Sequence, residues 1–235
     1  MSVAAMLPPA ISKEVRALAL PWLACVSCLL MMGMSNAPRL FGPLAVIAYL
    51  VGTVALGALS IGHEYTGRTL SLLLTLPARR ERLLATKLGV LTVMLLALWV
   101  VAETYVFRGM PGPADAKQMI ALIPLVCGLF LAPWLTMVCR STIAGTVFAL
   151  TIPGVLLVAG ELFGVAKYGH GPGMEAFRMA FAWSGTLGVC AIGAVMSWWL
   201  FMRLEAIEGP GQDVQLPQWL RFVWLIPLTN ETSAC

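Results

Sequence analysis

The sequence predicts an all-α integral membrane protein: six transmembrane helices, an N-terminal amphipathic interfacial helix, and a short cytoplasmic helix between the second and third spans. Three observations carry that prediction. Of the 235 residues, 60% are hydrophobic and only 11% are charged, against about 25% charge in soluble domains. With a mean hydropathy of +0.88, the chain has too little polar surface to face water all round, so lipid must be the solvent for much of it. Six apolar runs approach the ~20 residues needed to cross a hydrocarbon core. The one long cluster of charge, His63 to Lys87, lies between two of these runs and must reach water.

Taken in order, Pro8-Pro9 precedes Ile11, Val15 and Leu18 at helical spacing, with Lys13, Glu14 and Arg16 as the polar side. That pattern fits an amphipathic helix lying at the membrane surface. The first span is expected from Ala17 to Ser35, followed by the turn Asn36-Ala37-Pro38-Arg39, and the second from Phe41 to Ile61. The third runs from Leu83 to Glu103, then a polar stretch, Thr104 to Ala116, contains Pro111-Gly112-Pro113. The fourth, Lys117 to Val138, holds Pro124 and Pro133, which should bend it, and Arg140-Ser141 is a minimal turn. The fifth, Thr142 to Phe163, holds Pro153-Gly154; a Gly-rich stretch to Glu175 and the sixth span, Ala176 to Met202, follow. Trp22, Trp183, Trp198 and Trp199 fit interfacial belts. Residues 1–203 thus form one membrane domain. The polar tail, residues 204–235, carries Trp219 to Leu225, too short to span and suited to an interface.

Orientation follows from lysine and arginine. With the N-terminus inside, the inner side holds Lys13, Arg16, Arg68, Arg79, Arg80, Arg82, Lys87, Arg140, Arg203 and Arg221. The outer side holds Arg39, Arg108, Lys117, Lys167 and Arg178. Ten against five puts both termini and His63 to Lys87 in the cytoplasm. The expected location is the plasma (inner) membrane. Met1 to Ala10 lacks a basic n-region and a cleavage signature, so the first run is expected to stay in the protein.

Composition and motifs exclude several function classes. The +4 net charge is spread over loop ends, not gathered on one face, which argues against nucleic acid. No G-x-x-x-x-G-K-[ST], H-E-x-x-H or G-x-S-x-G string occurs. A membrane enzyme therefore lacks a catalytic constellation. The two histidines, His63 and His170, fall on opposite sides, so no metal site joins them. Cys25-x-x-Cys28 and the other four cysteines read as packing residues. Glu103 and Glu161, at the outer ends of the third and fifth spans, are either solvated helix ends or carboxylates of an outer vestibule for a cationic substrate.

The charged loop, residues 62–82, has an internal order. His63-Glu64 ends the second span. Thr69 can cap a helix from Leu70 to Leu76 by accepting a first-turn N–H, and Pro77 stops it. Arg79, Arg80 and Arg82 then anchor the third span at an anionic leaflet. A leucine-covered helix of under two turns must lie in the interface or fill a groove on another protein.

The loop pattern Glu64…Thr69-Leu70-x-Leu72-Leu73-x-x-Leu76-Pro77-x-Arg79-Arg80-x-x-Leu83-Leu84-x-x-Lys87 resembles that of type-2 ABC exporter permeases. Six spans, cytoplasmic termini, a leading amphipathic helix with Lys13-Glu14 and a length near 235 resemble them too. Two departures stand out: Gly67 lies one place before the family's glycine, with Arg68 in its slot, and Ser71 replaces a frequent acidic residue. The resemblance implies that the loop helix is a coupling helix. Leu72, Leu73 and Leu76 would be its apolar anchors, and Glu64, Arg79 and Arg80 its polar contacts, in a groove of a separately encoded ATPase. ATP and Mg would be bound by that partner, none by this chain. A second permease copy or a paralogue would complete the membrane part. Two other expectations share these features: a non-transporting membrane anchor or regulatory partner, and a maturation permease for heme or copper-site assembly.

Overall fold

The computed structural model describes residues 9–33, 38–66, 80–108, 110, 114–169, 171 and 173–203. Among them every regular element is a helix, and no strand occurs. They are α1 (Pro9–Gly33), α2 (Pro38–Thr66), α3 (Arg80–Ala102), α4 (Ala114–Val126), α5 (Ala132–Cys139), α6 (Thr142–Tyr168) and α7 (Gly173–Arg203). α3 continues into a π-helical turn, Glu103–Phe107, and a second π turn, Cys127–Leu131, joins α4 to α5 into one span. Six segments are long and apolar enough to cross a bilayer: Ile11–Met31, Gly42–His63, Glu81–Phe107, Ala116–Cys139, Thr142–Tyr168 and Gly173–Met202. That is the make-up of a multi-pass membrane protein.

Several hydroxyls inside these apolar helices are satisfied locally, while those of Thr186 and Ser197 are buried without a hydrogen-bond partner. Thr53 donates to the Tyr49 carbonyl at 2.6 Å, Thr136 to Ala132 at 2.8 Å and Thr92 to Leu88 at 2.7 Å, the i−4 back-bond that keeps a hydroxyl paired without water. The tight link between α5 and α6 is as the sequence predicts. Arg140 turns the chain in the left-handed region (φ 50°), and the Ser141 hydroxyl caps α6 by accepting from the Ala144 N–H at 3.4 Å.

The second and fourth spans form the centre. Their most hydrophobic stretches are 56% and 50% buried, against 17–28% for the other four. They cross backbone to backbone. A Cβ on Gly57 of α2 would strike the carbonyl of Gly128, and one on Gly128 would lie 2.7 Å from the Thr53 carbonyl. On one side of α2, Leu29 of α1 and Leu91, Leu95 and Leu98 of α3 close a core around Tyr49. Tyr49 meets Phe107 edge-on at 5.4 Å and donates to the Ala121 carbonyl at 2.7 Å. On the other side, Val54 packs with Leu131, Ala149 of α6, and Ala182 and Cys190 of α7. The Cys127 and Cys190 sulfurs lie 3.8 Å apart, buried, as free thiols in that core.

Several local expectations change. Among the described residues α1 is one continuous helix from Pro9 into the first span, and Glu14, read as part of its polar side, is only 7% exposed. The Trp22 indole is engaged within the bundle, donating to the Met94 carbonyl of α3 at 2.9 Å. Trp183 packs against the second core. Gly160 and Gly164 do not offer a face to another chain. They receive Phe181, Met174 and Phe177 of α7, because α6 and α7 are a close antiparallel pair. Much of the Gly-rich stretch is helical: α6 runs to Tyr168 and α7 starts at Gly173.

Candidate functional site

α2 ends at Thr66 and α3 begins at Arg80, so the two helices are the roots of the charged loop. Thr69, Leu72, Leu73, Leu76, Pro77 and Arg79, with the coupling helix itself, lie outside the described residues, as does the tail, 204–235. Glu64 falls in the last turn of α2 and Arg80 is the first residue of α3; their side chains also lie outside the described set.

The roots themselves converge on one carboxylate. Lys87, two turns into α3, donates to Glu14 Oε1 of α1 at 2.8 Å, and both side chains are buried, 5% and 9% exposed. His63, in the last turn of α2, places Nε2 3.9 Å from the other oxygen, Glu14 Oε2. Its Nδ1 lies 2.9 Å from the Leu59 carbonyl. A carbonyl only accepts, so Nδ1 carries a proton, and Nε2 is the nitrogen that faces the carboxylate. Three spans thus meet at one cluster at the loop end of the bundle.

The helix geometry brings this about. α1 and α3 run parallel: Glu14 faces Lys87, and eight residues on along α1 and seven along α3, Trp22 faces Met94. Eight residues are a rise of about 12 Å, so the ion pair and the indole bond pin the same interface at two depths. At the same end of the bundle, Ile61, Leu84, Met137 and Phe201 form a small apolar cluster drawn from four spans. A charge so enclosed is tolerable only because it is paired.

At the other end of the bundle the two predicted carboxylates part company. Glu161 of α6 accepts from Arg178 of α7 at 3.1 Å, with both side chains about two-fifths exposed (43% and 38%). Glu103 opens the π turn after α3, and its carbonyl accepts the Arg108 N–H at 3.2 Å. Glu161 borders a cavity of about 650 Å³, and Glu103 is not among the residues lining it. Among the described residues, no three His, Cys, Asp or Glu side chains gather as a metal cage.

Sequence reasoning missed the Glu14–Lys87 pair. The signal present was a glutamate five residues past a helix-starting proline and a lysine inside an apolar run, each costly in lipid unless paired. No family profile, characterised protein or solved structure matches the chain.

Proposed function

We propose that the chain is the permease subunit of an ATP-driven exporter, receiving force through the 62–82 loop from a separate ATPase that binds ATP and Mg. The supporting observation is the Glu14 cluster. Both roots of the loop, through His63 and Lys87, reach one carboxylate on α1. A displacement of the loop is therefore carried into three spans and not absorbed at its base. The resemblance of the loop to type-2 ABC exporter permeases names the kind of partner, and the leucines of the pattern Leu72, Leu73 and Leu76 would be its anchors. In this reading the loop end faces the cytoplasm, and a second permease copy or a paralogue completes the transporter.

The test is a Leu72→Asp, Leu73→Asp double change. Co-expressed with the ATPase of a neighbouring reading frame, the wild-type chain is expected to co-purify with it and to stimulate export. The double variant should lose at least tenfold in capture, since two apolar anchors at ~1.5–3 kcal/mol each are replaced by charges. Undiminished capture and export would remove the docking assignment. Capture without any export would favour the anchor or regulatory reading instead.

A further inference from the structure

The 650 Å³ cavity lies between α2, α4, α6 and α7, away from the loop end. Its volume falls within the ~300–1,000 Å³ typical of ligand pockets. α6 lines it with one stripe that runs from Ala149 to Glu161. Twelve residues span about 18 Å along a helix, close to the depth of one leaflet of a ~30 Å hydrocarbon core. The floor is closed: Val54, Cys127 and Ala149 are each no more than 1% exposed. The side is open: Leu157 and Val158 on the same stripe are 40% and 61% exposed. Pro124 of α4 and Pro153 of α6 are both in the lining. Each withholds the N–H that the carbonyl four residues earlier, Ile120 or Ala149, would otherwise take.

The lining is apolar except at one place. Among the described residues, Glu161 and Arg178 are the only charged side chains on it, and they stand together. Their one hydrogen bond uses a single guanidinium donor of five and a single carboxylate oxygen. The pair therefore presents an anion acceptor beside a cation acceptor, half in water, at the head of an apolar slot one leaflet deep. We infer that this cavity binds a zwitterionic amphiphile: one alkyl chain in the slot, a phosphate at Arg178 and an ammonium group at Glu161. The inference stands whether or not the chain transports anything.

Photolabelling in nanodiscs tests it. One arm uses a chain-diazirine phosphatidylcholine within the bilayer; a second uses a diazirine lysophosphatidylcholine added from water. Matched probes carry a neutral monoacylglycerol or an anionic phosphatidylglycerol head. Label from the choline probes is expected on residues 116–127 and 149–161, above the neutral and anionic probes. Label from the bilayer probe identifies a membrane phospholipid as the occupant, and label from the lyso probe alone identifies a single-chain amphiphile.

Gly154→Phe is the blocking variant. A Cβ there meets nothing within 4 Å, so the ring enters the slot without striking backbone, and an unchanged thermal midpoint checks the fold. It should cut cavity label about tenfold, equivalent to ~1.4 kcal/mol of lost affinity. Arg178→Gln should erase the preference for the zwitterionic head while chain label persists. Label spread evenly over all lipid-facing helices and unaltered by Gly154→Phe would overturn the proposal, as would equal label from every head group.

Discussion

Two carboxylate–cation pairs sit at opposite ends of this bundle, and they do different things. Glu14–Lys87 joins helices 73 residues apart in sequence, at 2.8 Å and under 10% exposure. Glu161–Arg178 joins neighbouring helices 17 residues apart, at 3.1 Å and about 40% exposure. The first is enclosed by α1, α2 and α3 and adjoins the roots of the longest charged stretch of the chain. The second stands at the edge of an open apolar slot. Burial makes the first a fastening, held away from water by the three helices around it. Exposure leaves the second free to exchange its partner for a ligand or water.

The contrast is sharpest when one member of each pair is removed. Lys87→Met leaves Glu14 buried without its cation, and should cost about 3–5 kcal/mol of stability. The double variant Glu14→Gln, Lys87→Met should recover most of that loss, because a neutral, well-packed pair avoids the uncompensated charge. Reversible unfolding in mixed micelles reads both, and equal stability of Lys87→Met and wild type would break the comparison. A smaller effect is expected between the two ends, where α2 links them. Gly57→Ala drives a methyl into the Gly128 carbonyl, and overpacking of this kind should cost about 1–3 kcal/mol. A lowered thermal midpoint checks it. Glu161→Gln should change least, by under ~1 kcal/mol, as expected for a solvent-reached pair. A loss as large as that of Lys87→Met would show that the outer pair is a fastening too.

The architecture was legible in the sequence because lipid imposes it. An apolar run of span length has few alternatives to a helix, and each of the six expected runs overlaps a helix of the structure. The Arg140-Ser141 turn was legible for a local reason, a capping serine beside a break in hydropathy. What was not legible is pairwise. The start of α1 looked interfacial because Lys13, Glu14 and Arg16 are charged, yet Glu14 is neutralised by a residue 73 positions away. Trp22 looked like a belt residue, yet its N–H finds the Met94 carbonyl. Gly160-x-x-x-Gly164 reads as a close-contact face on any helix; only the tertiary arrangement decides that α7 fills it. The π turns at Glu103 and Cys127 add a residue to a helical turn, and hydropathy does not register a shift of one residue within an apolar run.

The crossing of Gly57 and Gly128 has a mechanical side. Interlocked side chains resist one helix swivelling on another, and at this crossing both positions lack them. From Gly57, nine residues of α2 lead to Thr66 at the loop end and nineteen lead to Pro38 at the other, arms of about 14 and 28 Å. α2 is thus a lever with its fulcrum off centre. Any tilt imposed where the loop begins arrives at the far membrane face about twice as large, on the helix that also forms one wall of the amphiphile slot through Val46 and Leu50.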